Sequence, residues 1–277
     1  DVLTIWDQEN LSPVAEVVLP QGKRFMGLPE RDALLLLNED RWLAIANFSP
    51  AASVTLVDLE ERRIIGDIGT PGCVLTYPAG ERGFSSLCAD GRFLSTELAA
   101  DGSIVAQVRT ERFFDSDDSP IFERPAIIGD MAYFPTFAGE VIPVDVSGKV
   151  AGVGTAWHLV PEAERAQDWA PGGIGITAED DLGRLYVLMH PEAHDGSHNG
   201  GGAEVWVYDP ASQTRVARIA LREWGLSLAV SRGSEPKLLV TNPVDMSLEL
   251  YDALSGEFLK TITGLGQNTP LMLHGAR

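Results

Sequence analysis

Positive charge is scarce in this sequence. Its 277 residues include 21 Lys and Arg against 40 Asp and Glu, which gives a formal net charge of −19. Binding to nucleic acid is disfavoured, because the phosphate backbone would repel such a chain. The same acidity would attract a cationic substrate or the basic patch of a partner protein.

Long apolar runs and common catalytic motifs are also missing. No run of 18 apolar residues occurs, so no membrane-spanning helix is predicted. No secretory signal precedes Asp1, and the strand-like VLTIWD begins at once, which indicates a processed or shortened N-terminus and leaves the location open. The absence of GxSxG argues against a nucleophile-elbow hydrolase, and GGIGIT at 172–177 does not match the GxGxxG that precedes a phosphate-binding helix. We expect 172–178 to form an inner strand instead.

Only two cysteines are present, Cys73 and Cys88. Strand-like sequence surrounds both, so they could close a hairpin-sized disulfide, worth about 3 kcal/mol in the chain-entropy model. Two reduced core cysteines are the alternative, and the residues alone leave both open. A metal site is disfavoured, because neither cysteine lies in a CxxC motif or near a histidine.

A repeated unit is the strongest pattern in the chain. An alternating apolar strand runs to a turn containing Asp, and a second apolar strand follows, at 2–19, 53–68, 93–108, from 141, at 204–221 and at 248–262. The turn aspartates follow one another at intervals of 51, 43, 44, 64 and 43 residues. A period near 40–50 residues with paired strands is typical of a β-propeller with about four strands per blade. The fold class is therefore all-β, a propeller of six to seven four-stranded blades.

Further strands are predicted at 41–48, 184–190, 226–231 and 237–242, where β-branched and aromatic residues alternate or cluster. The longest interval indicates an insertion, and Pro161 followed by two glutamates predicts one short helix at 160–169. QNTPLMLH at 267–274 is predicted as an innermost strand that completes the N-terminal blade. We expect residues 1–277 to form a single propeller domain whose N-terminal blade is incomplete if this strand does not close it.

Two clusters could in principle bind metal ions. His190, His194 and His198, with Glu192 and Asp195 nearby, could bind Zn or Cu, but Pro191 and the surrounding glycines favour an ordinary loop. The run at 113–120 could chelate Ca²⁺ through Asp115, Asp117 and Asp118, yet it lacks the glycine and distal glutamate of an EF-hand loop. A solvated connector is the favoured interpretation.

Four segments carry a family resemblance: the 162–209 run with ERAxxW, PGG, LYVL, GSH and EVWVYD, the cysteine-containing 56–92, FPTFAGEVIPVDVSG at 134–148, and the C-terminal YDALSGEFLKTITGLGQNTP. The chain resembles the heavy subunit of the quinoprotein methylamine and aromatic amine dehydrogenases over nearly its whole length. It is shorter than that family at the N-terminus. The heavy-chain aromatic that faces the quinone in the family lies in the missing part and maps to no residue here.

The resemblance implies a seven-bladed periplasmic propeller in an α2β2 assembly. The partner would be a small disulfide-rich light chain that carries tryptophan tryptophylquinone (TTQ) and the catalytic base. A blue copper protein, amicyanin- or azurin-like, would accept the electrons. The resemblance also implies a disulfide between Cys73 and Cys88. This chain would then supply no catalytic, cofactor-binding or metal-binding residue.

Two other functions remain as alternatives. A stand-alone periplasmic propeller could bind a ligand or protein without a quinone partner. A Ca²⁺-dependent hydrolase of the lactonase type would need inward carboxylates at the tops of several inner strands, and the sequence shows no such pattern.

Overall fold

The computed structural model describes residues 1–19, 22–23, 30–268 and 270–275. The chain divides into two compact units. The first contains Asp1–Ser116 with Asp145–Val153, and the second contains Asp117–Val144 with Gly154–Arg277.

The first unit consists of a two-stranded sheet, two four-stranded sheets and one short strand. Strands β1 and β2 pair with each other, β3–β6 form one sheet in chain order, and β7–β10 form the other. The strands are β1 Val2–Asp7, β2 Ser12–Val18, β3 Leu34–Leu37, β4 Trp42–Asn47, β5 Ser53–Asp58, β6 Arg63–Gly69, β7 Cys73–Pro78, β8 Gly83–Cys88, β9 Phe93–Leu98, β10 Ile104–Arg109 and β14 Gly152–Val153.

The second unit contains three further sheets. Strands β11–β13 form one sheet, in which β15 also pairs with β13. In the second sheet β18, β19 and β20 follow one another, and β16 and β17 both pair with β18. Strands β21–β24 form the third sheet in chain order. The strands are β11 Ala126–Ile128, β12 Met131–Pro135, β13 Glu140–Asp145, β15 Trp157–His158, β16 Ala170–Pro171, β17 Thr177–Glu179, β18 Leu185–His190, β19 Gly202–Asp209, β20 Thr214–Gly225, β21 Leu228–Val230, β22 Lys237–Asn242, β23 Ser247–Asp252 and β24 Phe258–Ile262.

Burial falls from the central strands to the outermost strands, as expected for packed blades. All six residues of β18 are buried, whereas β20, the last strand of the same sheet, is mostly exposed. The two strands sandwich β19 in antiparallel register. Each unit has its own apolar core, around Leu56 and Phe84 in the first and around Tyr186 and Trp206 in the second. The prediction of an all-β propeller with four-stranded antiparallel sheets is confirmed.

The repeated aspartate has the same structural role in each copy of the hairpin. Its Oδ1 accepts a hydrogen bond from the backbone N–H two or three residues later, at 2.7–3.1 Å, which closes the turn between the two strands. The six residues are Asp7, Asp58, Asp101, Asp145, Asp209 and Asp252. The aspartate recurs in the sequence because each turn uses its carboxylate to accept this hydrogen bond.

In two blades this aspartate also binds a cation at the start of a neighbouring strand. Arg41 donates from Nε and one Nη to Asp58, and Lys237 Nζ lies 2.7 Å from Asp252. The hydrogen bond from Lys237 is the main reason that the pKa of Asp252 lies far below its usual value. Each pair joins one end of the second and third strands of its sheet.

Two predicted strands are wrong. Of 172–178, only Thr177 and Ala178 belong to a strand, because Gly173 has φ +129° and the N–H of Ile174 bonds to Leu226 rather than to a neighbouring ladder. The described residues of 267–274 contain no strand, and Thr269 lies outside the described part of the chain. Instead, Ser227 Oγ donates to the carbonyl of Leu271 at 2.5 Å.

The predicted helix is present as a shorter and tighter element. Residues Glu162–Gln167 form a 3-10 helix, preceded by Pro161 in an extended conformation and ended by Asp168 in the left-handed region. A helix of only six residues that ends at a residue in the left-handed region is typical of the short 3-10 helices found in connecting segments. Within the described ranges, no helix has the length and apolar character needed to cross a membrane.

Candidate functional site

The second unit contains an open cleft of about 440 Å³. Its walls come from the loop before Pro120, the turn after β12, strand β16 and the loop that connects β18 to β19. We call it the histidine cleft, and its polar and aromatic lining includes Asp117, Asp118, Phe137, His190, His194 and His198. All three predicted histidine candidates therefore border one cavity.

His190 is the last residue of the buried strand β18 and is only 2% exposed. Its Nε2 lies 2.8 Å from Ser197 Oγ, which also accepts the N–H of His194 at 3.0 Å. Burial lowers the pKa of His190, because charging the ring in the wall of the cleft costs solvation. Burial therefore favours the neutral form of the ring.

The other two histidines are fixed by local contacts. His194 Nδ1 lies 2.8 Å from the carbonyl oxygen of Glu192, and His198 Nε2 lies 3.0 Å from Asn199 Nδ2. The His198 ring also packs on Phe137 with 4.0 Å between centroids. These contacts build a turn and an aromatic wall, which agrees with the prediction of a loop.

The geometry does not converge on a metal ion. Among the residues that the structure describes, no three His, Cys, Asp or Glu side chains form a group that could hold one. In the acidic run, Asp115 accepts a hydrogen bond from Arg112 at 2.6 Å, while Asp117 and Asp118 border the cleft.

A strap formed by residues 161–169 lies against the outer part of the β18–β20 sheet. Trp169 contacts the fully buried Trp206 of β19, with ring centroids 5.2 Å apart. Arg215 of β20 binds Glu164 through two nitrogens, at 2.9 and 2.5 Å. These hydrogen bonds are the main cause of the lowered pKa of Glu164.

Two arginines extend this contact into a layered stack. Arg215 lies 4.3 Å from the Trp206 ring centroid, and Arg218 lies within 5.0 Å of both the Trp169 and Trp206 centroids. Arg218 also binds Glu204 through two nitrogens, which raises its pKa. Cation–π and bidentate contacts therefore tie the strap to the blade.

The strap adjoins the wall of the cleft. The backbone carbonyl of Asp168 accepts a hydrogen bond from the N–H of Ala193 at 2.7 Å. Ala170, which follows the strap in the chain, lines the cleft itself. A neighbouring cavity of about 330 Å³ is lined by Trp169 and Arg165 and shares Phe137 and Ala170 with the cleft. The strap is thus bonded to the loop that carries His194 and precedes a residue that lines the cleft.

The two cysteines of the first unit are bonded to each other. Cys73 and Cys88 lie directly opposite one another on β7 and β8, with an S–S distance of 2.06 Å. Both are almost fully buried, at 0% and 2% exposure. The bond joins two strands of one sheet and has no visible link to the histidine cleft's chemistry.

Sequence reasoning identified the histidines but missed their surroundings. Phe137 follows β12 and Asp118 precedes β11, more than 50 residues from the histidine loop. No sequence spacing brings these segments together, because the packing of neighbouring sheets does so. The turn motif at 134–148 was the available signal, since Phe137 lies within it.

Comparison with known proteins identifies the family. The model of the methylamine dehydrogenase heavy chain family matches residues 1–275. The chain belongs to this family. The predicted family is therefore confirmed.

Curated methylamine dehydrogenase heavy chains match over almost the whole of this chain. The protein of Paracoccus versutus is 28% identical over 275 residues, covering 98% of this chain and 64% of its own length. That of Methylophilus methylotrophus is 25% identical, covering 96% of this chain and 66% of its own length. The chain thus spans about two thirds of the length of these relatives.

Two solved structures share the fold at low identity. A protein of unknown function from Desulfotomaculum acetoxidans superposes with a TM-score of 0.62 and 13% identity, over 93% of this chain and 76% of its own. A chain of a mitotic checkpoint complex gives 0.61 and 11%, over 96% and 73%. At such identities the likeness concerns the fold alone.

Proposed function

We propose that this chain is the non-catalytic heavy subunit of an amine dehydrogenase, in which it scaffolds a smaller catalytic light chain. The observation that carries the proposal is the family match across residues 1–275. Antiparallel sheets with buried central strands provide a scaffold for such a partner. The formal charge of −19 would favour a partner with a basic contact surface.

The reaction proposed for the assembly is oxidation of a primary amine. One amine and one water give an aldehyde and ammonia, and two electrons and two protons leave the substrate. A tryptophan-derived quinone on the light chain would accept the electrons and pass them to an amicyanin- or azurin-like copper protein. No step of this reaction is assigned to a residue of the present chain.

The contacting tryptophans Trp169 and Trp206 do not have the arrangement of a tryptophan-derived quinone. The tryptophans Trp169 and Trp206 contact each other with ring centroids 5.2 Å apart, which is a packing distance and not a covalent link. Trp206 is fully buried, and its Nε1 donates to Glu204 at 2.6 Å. Both rings are held as parts of the strap contact, which supports our proposal that the quinone is carried by the partner.

The proposal extends to assembly and location. We place the subunit in an α2β2 complex in the periplasm, where a disulfide such as Cys73–Cys88 would persist. Residues 1–277 would form one propeller domain, in which the two-stranded β1–β2 sheet is an incomplete N-terminal blade.

Purification of the untagged protein from its source, followed by native mass spectrometry and absorption spectroscopy, tests this function. We expect a small second chain at a one-to-one ratio and a quinone absorbance that amines bleach. A colourless chain that runs alone and does not respond to amines would refute the proposal. It would instead favour a stand-alone periplasmic binding propeller.

A further inference from the structure

The loop that connects β18 to β19, residues 191–201, is attached to the rest of the second unit by few contacts. We call it the histidine loop. The N–H of Ala193 donates to the carbonyl of Asp168, and the N–H of Gly173 donates to the carbonyl of His198, both at 2.7 Å. Because the histidine loop belongs to no strand, it can separate from these partners while the sheets stay folded.

A third attachment runs through the ring of His190, the buried last residue of β18. Its Nε2 lies 2.8 Å from the Oγ of Ser197 in the histidine loop. That Oγ accepts the N–H of His194 at 3.0 Å and donates to the carbonyl of the same residue at 2.7 Å. Since the hydroxyl hydrogen is used there, Oγ accepts from His190, which assigns the proton of the neutral ring to Nε2. One imidazole thus joins the turn of the loop to the sheet.

The other nitrogen of this ring, Nδ1, is poorly placed to take up a second proton. It is buried, and its geometry allows no hydrogen bond to a described residue. The backbone of Gly172 lies so close that an added Cβ there would be 2.6 Å from Nδ1. A second proton would therefore place a charge and an unpaired donor in a filled space, which disfavours the attached position of the ring.

Charged and titratable groups near the ring act in both directions. Burial is the main cause of the lowered pKa of His190; the nearby backbone of Ala170 offsets it in part, and the imidazoles of His194 and His198 lower it further by repulsion. Carboxylates around the cleft favour the charged ring, so burial and repulsion outweigh them. These carboxylates are Glu192 and Asp195 of the histidine loop, Asp117 and Asp118 of the cleft lining, and Asp168 of the strap.

We propose that His190 is a proton-sensitive latch that holds the histidine loop in place. When the ring takes up a second proton, the loop separates from the strap and from Gly173, and the charged ring gains access to water. The histidine cleft then loses one of its walls, because residues 193–198 of the loop line it. The latch belongs to this chain alone and depends on neither a light chain nor a quinone.

Amide hydrogen exchange of the full chain at about pH 7.5 and about pH 5.5, corrected for the intrinsic pH dependence of exchange, tests the latch. The attached loop is stabilised fully above the ordinary histidine pKa of about 6.5, and this stabilisation is lost as pH falls toward the lower folded value. We therefore expect up to about tenfold faster exchange at the lower pH in peptides covering 191–201, which contain the bonded amides of Ala193, Ser197 and Gly200. Peptides of β19 should show no such change.

Four variants distinguish the latch from other histidine effects. His190→Gln, whose amide can still donate to Ser197 but cannot be protonated, should exchange equally at the two pH values. His158→Gln, which changes an exposed histidine of the same unit, should keep the wild-type difference. The double variant H194Q/H198Q should keep a difference of the same direction, because His190 remains. Ser197→Ala should exchange faster at both pH values, and it tests the attachment independently of how His190→Gln folds.

Three results would overturn the proposal. They are equal exchange of the wild-type loop at both pH values, a wild-type difference in folded His190→Gln, and loss of the difference in H194Q/H198Q. An equal rise in β19 would also overturn it, since the whole unit would then be opening. Circular dichroism confirms that each variant is folded. None of these outcomes bears on the heavy-subunit proposal, which is tested by co-purification and amine-dependent bleaching.

Discussion

The contact between the strap and the outer part of the β18–β20 sheet can be tested by a single substitution in the strap. Glu164 is the central acceptor, since Arg215 binds it through two nitrogens and Arg218 approaches it at 3.4 Å. The Glu164 and Arg215 side chains are 24% and 16% exposed, so solvent screens their pairing only in part. Glu164→Gln removes the charge and keeps the shape.

The expected cost follows from the contacts. Exposed ion pairs contribute about 0.2–1 kcal/mol, and a partly buried bidentate pair contributes more, so we expect loss of about 1–2 kcal/mol. That change would raise the population of the detached strap roughly 5–30-fold. The rest of the blade should be nearly unaffected, because the core around Trp206 does not depend on this charge.

Amide hydrogen exchange measured by mass spectrometry provides the readout. Peptides covering 161–171 contain the amides of Glu164 and Asp168, whose hydrogen bonds to Pro161 and Arg165 close the turn. We expect faster exchange there in Glu164→Gln, and also at Ala193, whose N–H bonds to Asp168. Exchange in β19 should not change.

A matched control lies in the same turn. Glu162 is exposed and has the same side-chain chemistry, so Glu162→Gln should exchange like the wild type. The pKa of Glu164 is lowered by Arg215, so the stabilisation is present above the unfolded value near 4.3 and is lost as pH falls through the lower folded value. Equal exchange of wild type and Glu164→Gln at pH 7 would refute the reasoning.

Three further predictions concern stability, each measured by urea unfolding. Replacing Cys73 and Cys88 by alanine should lower the free energy of unfolding by about 3 kcal/mol, since the bond closes a separation of 15 residues; an unchanged midpoint would contradict this. Asp180→Ala should cost about 3–5 kcal/mol, because the fully buried carboxylate accepts from Arg184, Tyr186 and two backbone amides; a loss below about 1 kcal/mol would argue against it. Burial lowers the pKa of His190 in the folded state, so as the pH falls this histidine is protonated in the unfolded chain before it is protonated in the folded one. The free energy of unfolding should therefore fall as the pH drops below about 6.5. His190→Asn should flatten that slope relative to pH 8, and parallel wild-type and variant profiles would be inconsistent with this cause.

The repeated hairpin could be predicted from sequence because its determinants are local. The alternation of β5 and the turn that begins at Asp58 lie within about 17 residues, and the carboxylate bonds to the N–H of Glu61. The same holds for Asp252 and Ser255. Period, strand polarity and turn chemistry therefore agree, and the hairpins lie where the pattern predicts them.

The region around the glycines at 172–176 was mispredicted because tertiary contacts override its strand-like composition. A Cβ on Gly172 would lie 2.6 Å from His190 Nδ1, and one on Gly173 would lie 2.6 Å from the carbonyl oxygen of Leu226. The backbone must pass close to β18 and to the start of β21, and no ladder forms until Thr177. The amino-acid composition of this segment does not show how closely its backbone approaches these two strands.

The family-like segment at 162–209 is explained by the same geometry. Glu164 of its ERA motif binds Arg215 of β20, and Trp169 packs on Trp206. These two side chains of the motif hold the strap against the sheet. Gly172 leaves room for the His190 ring, while Ser197 of the GSH turn bonds to that ring. These contacts fix the strap and the loop that follows β18 against the β18–β20 sheet. The segment that carries the family resemblance therefore also contains the contacts that build one side of the histidine cleft.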